Sequence, residues 1–190
     1  MTVHRATSAR PATAGPWVID TRELGRRPGY SRRHERTAPL TNEIGFEPVV
    51  SLPAGREVSF DVLVESVVEG VLVSGTASAQ LDGECARCLD PLEQRVEVEF
   101  TELFAYPDSA TEQTTDDDEV LRLVDDLVDL EPVVRDAIVL ALPQAPLCSP
   151  DCLGLCPDCG GRWADLGPDH GHETIDPRWA GLRDRFGTGG

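Results

Sequence analysis

Six cysteines constrain this chain more than any other feature. They run Cys85-x2-Cys88, then 59 residues, then Cys148-x3-Cys152-x3-Cys156-x2-Cys159. A Cys-x2-Cys turn sets two thiolates on one side of a tight loop, and zinc takes four such soft donors in a tetrahedron. In Cys156-Pro157-Asp158-Cys159-Gly160-Gly161 the proline fixes the turn. The two glycines let the backbone curl so that N–H groups face the second sulfur. A single pair of this kind is weak; two pairs plus a Cys-x3-Cys are a strong indication of metal binding.

An even cysteine count in a secreted mini-protein would instead indicate disulfides. Residues 1–15 carry Arg, Ser and Thr but no apolar h-region, so the sequence predicts no export signal. A chain of 190 residues also needs no covalent staples to fold. Reduced thiols and a cytoplasmic protein are therefore expected. Redox Cys-x2-Cys pairs open a helix, whose dipole lowers the thiol pKa. Here Cys85 and Cys88 join two strand-like runs, and Cys159 is followed by two glycines. An iron–sulfur cluster accepts four thiolates too, but these knuckle spacings favour zinc. A catalytic zinc keeps an open position, which an all-cysteine site with surplus ligands does not suggest. The expectation is one structural zinc, with Cys85, Cys88, Cys148, Cys152, Cys156 and Cys159 all candidate ligands.

Six thiolates exceed the four that one zinc takes, and the spacing leaves three arrangements open. The four C-terminal cysteines could hold the metal alone. Cys85 and Cys88 could pair with Cys156 and Cys159 as a ribbon, or with Cys148 and Cys152. His170 and His172 flank one glycine in a polar stretch. They are read as exposed residues, with metal ligation as the alternative. The sequence contains no Gly-rich phosphate loop, no Gly-x-Ser-x-Gly elbow and no His-Glu-x-x-His, so no catalytic residue is assigned and the protein is not expected to be an enzyme.

Between the cysteine pairs the pattern is that of strands and one helix. Val58, Phe60, Val62 and Val64 alternate with polar residues, as do Val71, Val73, Ala77, Ala79 and Leu81, and then Val96, Val98 and Phe100. Period-two runs with short connections predict an antiparallel meander, barrel-like in character, with one buried face. The first cysteine pair lies in the connection between the second and third runs. Residues 125–142 read as a helix, with Pro132 in its first turn, an apolar stripe at Val134, Ala137, Ile138 and Ala141, and Pro143 as its stop. The fold class is α+β: a sheet, one main helix and a cysteine-rich knuckle segment. The Asp116-Asp117-Asp118-Glu119 run reads as an exposed acidic loop.

Charge divides the chain. Residues 1–36 hold eight Arg and three acids, a net +5, while the remainder holds nine Arg against 31 acids, a net −22. The expected organisation is a basic, partly disordered arm over 1–36, the α+β domain over 37–165 and a flexible tail over 166–190. Within the arm, Trp17, Val18 and Ile19 form an apolar patch expected to dock on the body. In the tail, Trp179 and Phe186 are possible docking points. No apolar run approaches the ~18 residues of a membrane span. An acidic body repels bare nucleic acid and anionic membrane, whereas the Arg arm suits an anionic partner.

The residues Cys85-Ala86-Arg87-Cys88-Leu89 on the meander, Leu142-Pro143 at the helix end and Asp151-Cys152-Leu153-Gly154-Leu155-Cys156-Pro157-Asp158-Cys159-Gly160 resemble the YceD family, long catalogued as domain of unknown function 177. Asp20-Thr21-Arg22-Glu23-Leu24-Gly25 is similar to the start of actinobacterial members. The resemblance covers roughly residues 17 to 165. One departure is Leu153, where many members have Lys; it removes a positive charge beside the cluster. The resemblance implies a role in accumulation of large-subunit (23S) ribosomal RNA, hence ribosome biogenesis. Members are often encoded beside a small zinc-ribbon protein of the large subunit. Together with the charge division, this suggests a non-enzymatic factor whose acidic body binds a basic ribosomal protein or assembly factor and whose Arg arm contacts rRNA. The alternatives are a thiol-redox or nuclease-like enzyme acting on rRNA, and a zinc-ribbon transcription adaptor.

Overall fold

The computed structural model describes residues 15–107, 109–111 and 120–172. The acidic run at 116–119, most of the segment before Trp17, and both Trp179 and Phe186 lie outside the described residues.

The three alternating runs form the centre of one sheet. Strand β5 (Glu57–Ser66) leads through a Val67–Gly70 turn into β6 (Gly70–Glu84), and β6 leads into β7 (Pro91–Ala105). All pairings among them are antiparallel. Their inward residues fall in rows across the sheet, with Phe60 beside Ala77 and Val98, and Val62 beside Gly75 and Phe100. The alternation that predicted the strands thus places Val58, Phe60, Val62, Val64, Val73 and Ala77 within the core. Gly75 cannot be larger, because a Cβ there would lie 2.2 Å from the Asp61 carbonyl oxygen.

Shorter strands extend this centre. β2 (Ser31–Pro39) pairs with β5 along its whole length, while β3 (Ile44–Phe46) and β4 (Val50–Leu52) form a small ladder on the far end of β6. β8 (Leu121–Arg122) runs parallel to the end of β7. β1 (Val18–Asp20) and β9 (Leu127–Asp129) make a separate two-stranded ladder. The main sheet stays open: among the described strands β2 pairs only with β5, so the barrel-like expectation reduces to an open, mostly antiparallel sheet.

Helix α1 (Glu131–Ala141) packs on β7 and buries Val133, Val134 and Ile138. It is shorter than the residues 125–142 expected. Asp125 and Asp126 adopt positive φ (55° and 58°) and turn the chain, and Leu127–Asp129 then satisfies its backbone against β1 rather than within a helix. Leu127 and Val128 are both buried, which gives an apolar run with no period of its own. The helix starts where Pro132 fits the first turn and Glu131 accepts hydrogen bonds from the Thr41 N–H and hydroxyl, at 2.6 and 2.7 Å.

The Trp17–Ile19 patch docks on the body, with Val18 and Ile19 in β1 and Trp17 just before it. Trp17 stacks on Phe60 with ring centroids 5.2 Å apart, and its Nε1–H donates to the Pro39 carbonyl at 2.8 Å. The division placed at residue 36 falls inside β2, and Arg32, Arg33 and Arg36 belong to that strand.

Candidate metal centre

The β6–β7 hairpin outruns its neighbours, and its tip carries the first cysteine pair. Within residues 85–90 the Cys85 N–H donates to the Asp90 carbonyl at 2.8 Å and the Leu89 N–H to the Cys85 carbonyl at 2.9 Å. Leu89 takes φ 61°, which closes the turn tightly. The chain leaving α1 is drawn against this tip, because the Ala86 N–H donates to the Pro146 carbonyl at 2.8 Å. Two residues further on comes Cys148, and Cys152 follows after a turn in which its own N–H donates to the Ser149 carbonyl at 3.1 Å. Arg87 reaches across and donates from Nη1 to the Cys152 carbonyl at 2.9 Å.

This brings Cys85, Cys88, Cys148 and Cys152 together, all four sulfurs lying within 4.8 Å of one another. Cys85 Sγ is 3.8 Å from Cys152 Sγ, and Cys88 Sγ is 3.6 Å from Cys148 Sγ. A tetrahedral zinc with Zn–S bonds of about 2.3 Å separates its sulfurs by about 3.8 Å. Both of these separations match such an ion, and the four sulfurs are close enough together to surround it. Of the three arrangements left open by spacing, the structure adopts the pairing of Cys85 and Cys88 with Cys148 and Cys152. It brings neither all four C-terminal cysteines nor the ribbon set together.

The electrostatics suit a cation. The Cys85 thiol is pulled down to about 6, chiefly because the backbone N–H groups of Cys148 and Cys88 point at its sulfur. Burial pushes the Cys88 thiol up to about 12, reinforced by the neighbouring Cys85 sulfur. Cys148 is raised as well, first by its contact with Cys152. One thiolate is thus held by the knuckle while its neighbours resist adding further negative charge. A divalent ion removes that conflict by taking the place of the protons. Asp90 stands behind the cluster, accepting from the Cys88 thiol at 3.3 Å and pairing with Arg162.

The remaining two cysteines form a second knuckle nearby. The Gly160 N–H donates to the Cys156 carbonyl at 2.8 Å, and the Cys156 N–H to the Gly161 carbonyl at 2.7 Å. Gly160 takes φ 69°, in the left-handed region that favours glycine. The Cys159 N–H lowers the Cys156 thiol. His170 and His172, read from the sequence as exposed polar residues, join this pair: the donor atoms of Cys156, Cys159, His170 and His172 also lie within 4.8 Å of one another. His172 is exposed, whereas His170 is half-buried and meets Trp163 edge-on at 5.4 Å. Sequence reasoning set these histidines aside because of the polar stretch around them; their place after a Cys-x2-Cys pair, with ten residues between Cys159 and His170, was the usable signal. It also missed Asp90 and Arg162, whose contact links the two groups.

Among the described residues, an open, mostly antiparallel sheet whose longest hairpin meets the exit of helix α1 at a cysteine cluster defines the class of protein: an α+β domain with a cysteine cluster able to hold a metal ion. The chain belongs to the YceD family. The family model, described as large ribosomal RNA subunit accumulation protein YceD, matches residues 73–184. The match starts later than the expected 17–165 and runs further toward the C-terminus. The chain is 50% identical over 180 residues to the uncharacterized protein Rv2926c of Mycobacterium tuberculosis, covering 95% of this chain and 86% of that one. It is 46% identical over 169 residues to the uncharacterized protein ML1660 of Mycobacterium leprae, covering 89% and 77%. The uncharacterized protein YlbN of Bacillus subtilis is 29% identical over 108 residues, covering 56% of this chain and 61% of that one. No solved structure matches the chain. Among the described residues no helix is long and apolar enough to cross a membrane.

Proposed function

We propose that the protein is a non-enzymatic assembly factor that supports large-subunit rRNA accumulation by holding a basic ribosomal protein or assembly factor on its acidic body. The Cys85, Cys88, Cys148 and Cys152 cluster holds one structural zinc that keeps this body folded. Family membership supports the ribosomal setting. The observation that carries the partner's chemistry is a groove of about 610 Å³ between β7 and α1. Glu97, Glu99, Glu102 and Asp136 line it beside Phe100 and the exposed Leu140. Among the described strands, residues 91–103 of β7 pair only with β6, so their outer backbone edge stands open. An extended Arg/Lys-rich segment would add to such an edge through its main chain and meet the carboxylates with its side chains.

Contact with rRNA through the N-terminal Arg residues is the second part of the proposal. Arg22, Arg26, Arg32 and Arg33 pair with Asp20, Asp126, Glu23 and Asp61, so phosphates would compete with these exposed ion pairs. Arg5 and Arg10 precede the described residues and complete the basic segment.

The test is a tagged pull-down in which RNA and protein are identified together, run with the wild type and with Glu97→Arg, Glu99→Arg, Asp136→Arg. Enrichment of a basic large-subunit protein, lost in the variant and at raised salt, is the expected outcome. Recovery of RNA polymerase instead of pre-ribosomal particles would favour a transcription adaptor. Thiol-dependent turnover of rRNA by the purified protein would favour an enzyme.

A further inference from the structure

We propose that Cys156, Cys159, His170 and His172 form a second zinc site, so that the chain carries two zinc ions rather than one. The first site accounts for four of the six cysteines and leaves a complete knuckle unused. Its sulfurs do not stand alone: the turn that follows brings two imidazoles to them. The His170 N–H donates to the Gly167 carbonyl at 3.0 Å, and the Leu166 N–H to the Arg162 carbonyl at 3.1 Å, which folds the segment back onto the knuckle.

The distances match the donor set. A tetrahedral zinc with Zn–S of about 2.3 Å and Zn–N of about 2.0–2.1 Å separates a sulfur from a nitrogen by about 3.6 Å and two nitrogens by about 3.3 Å. Cys159 Sγ lies 3.7 Å from His170 Nε2, and His170 Nε2 lies 2.9 Å from His172 Nε2. The two rings need to part by only about 0.4 Å. A hydrogen bond between two Nε2 atoms uses both positions that would face the ion, so metal replaces that contact. Two thiols and two neutral imidazoles binding Zn²⁺ release two protons and leave a neutral site. Mixed sulfur and nitrogen ligation in a tetrahedron selects zinc over the hard cations. The packing of Trp163 against His170 fixes one ring before metal arrives.

The site's exposure predicts how it behaves. Two of the four donors are exposed in the second site (Cys159 and His172) against one in the first (Cys148), and the first buries two (Cys85 and Cys88) against one (Cys156). A chelator therefore reaches the second ion first.

The experiment uses the full chain, purified under reducing conditions and loaded with Zn²⁺ alone. Elemental analysis should give two zinc per wild-type chain and one in His170→Ala, His172→Ala. A chromophoric chelator should remove one equivalent fast and one slowly from the wild type, and the fast phase should vanish in the double variant. Co²⁺ substitution gives a check that does not depend on stability: the wild-type visible spectrum should be the sum of a four-sulfur and a two-sulfur, two-nitrogen chromophore, and the double variant should retain only the first. A metal ratio and a release profile unchanged by the double substitution would overturn the second site. The first site is read separately from the zinc that persists in that variant.

Discussion

The two cysteine groups differ in what they connect. Cys85, Cys88, Cys148 and Cys152 join a hairpin tip to a helix exit across 59 intervening residues, and the hairpin pair is buried. Cys156, Cys159, His170 and His172 join parts of one surface segment, with ten residues between the second cysteine and the first histidine. By the loop-entropy argument for cross-links, a clip across about 60 residues contributes about 4 kcal/mol and one across about ten contributes about 3. That difference is small. The larger one lies in which equilibrium each clip resists. The first opposes separation of α1 from the sheet, which is global unfolding. The second opposes only the opening of its own segment.

The largest expected effect is therefore at the first group. Cys85→Ser, Cys88→Ser should lose the metal held there and lower the melting temperature by roughly 8–16 °C, since about 4 kcal/mol moves a domain of this size by about 2–4 °C per kcal/mol. Calorimetry beside elemental analysis reads both. Full metal content with an unchanged transition would remove the distinction between the groups, because neither would then hold the sheet to the helix.

At the second group, Cys159→Ser should leave the main transition within a few degrees of wild type. Its effect should be local: amide exchange should accelerate over residues 155–172 while β5, β6 and β7 keep their protection. Equal acceleration across the sheet would show that the surface segment is part of the global unit.

The comparison also separates what was legible in the sequence from what was not. The central strands were legible because Val58, Phe60, Val62 and Val64 repeat at the period of a half-buried strand, and burial follows that repeat. β2 was not, because Arg32, Arg33, His34, Glu35 and Arg36 carry no apolar alternation; among its nine residues only Ala38 is buried, and backbone pairing to β5 holds it. The same strand takes in charges that composition assigned to a free arm, Arg33 meeting Asp61 across the ladder. The cysteines pointed at once to groups able to hold a metal, but their partition depended on a contact between Ala86 and Pro146, sixty residues apart, that spacing does not encode. His170 and His172 were discounted because local polarity says nothing of what a chain turn brings back.

A smaller effect lies at the junction of the groups. Gly154 takes φ 77°, and a Cβ there would lie 3.0 Å from the Arg87 carbonyl oxygen. Gly154→Ala combines left-handed backbone strain of about 1–2 kcal/mol with that contact. The melting temperature should fall by a few degrees, and chelator release should quicken at both groups, since Arg87 holds the Cys152 carbonyl. Quickening at the surface group alone would place Gly154 with the second unit rather than between the two.

The smallest effect tests whether the groups communicate. Arg162 pairs with Asp90, whose carboxylate lies 3.3 Å from the Cys88 sulfur, so one side chain of the second knuckle reaches a residue against the first cluster. Both partners of the ion pair are partly exposed (44% and 36%), which limits its direct contribution to roughly 0–1 kcal/mol. Arg162→Met should accordingly leave the melting temperature almost unchanged. Its consequence should appear in coupling. In the wild type, emptying the surface group by His170→Ala, His172→Ala should speed metal release from the hairpin group, because the segment that carries Arg162 loosens and Asp90 loses its counter-charge. In an Arg162→Met background the same histidine substitutions should no longer change that release rate. A double-mutant cycle on the slow release phase measures the difference directly. An interaction energy near zero would mean that the two groups are independent, each acting only on the backbone it closes.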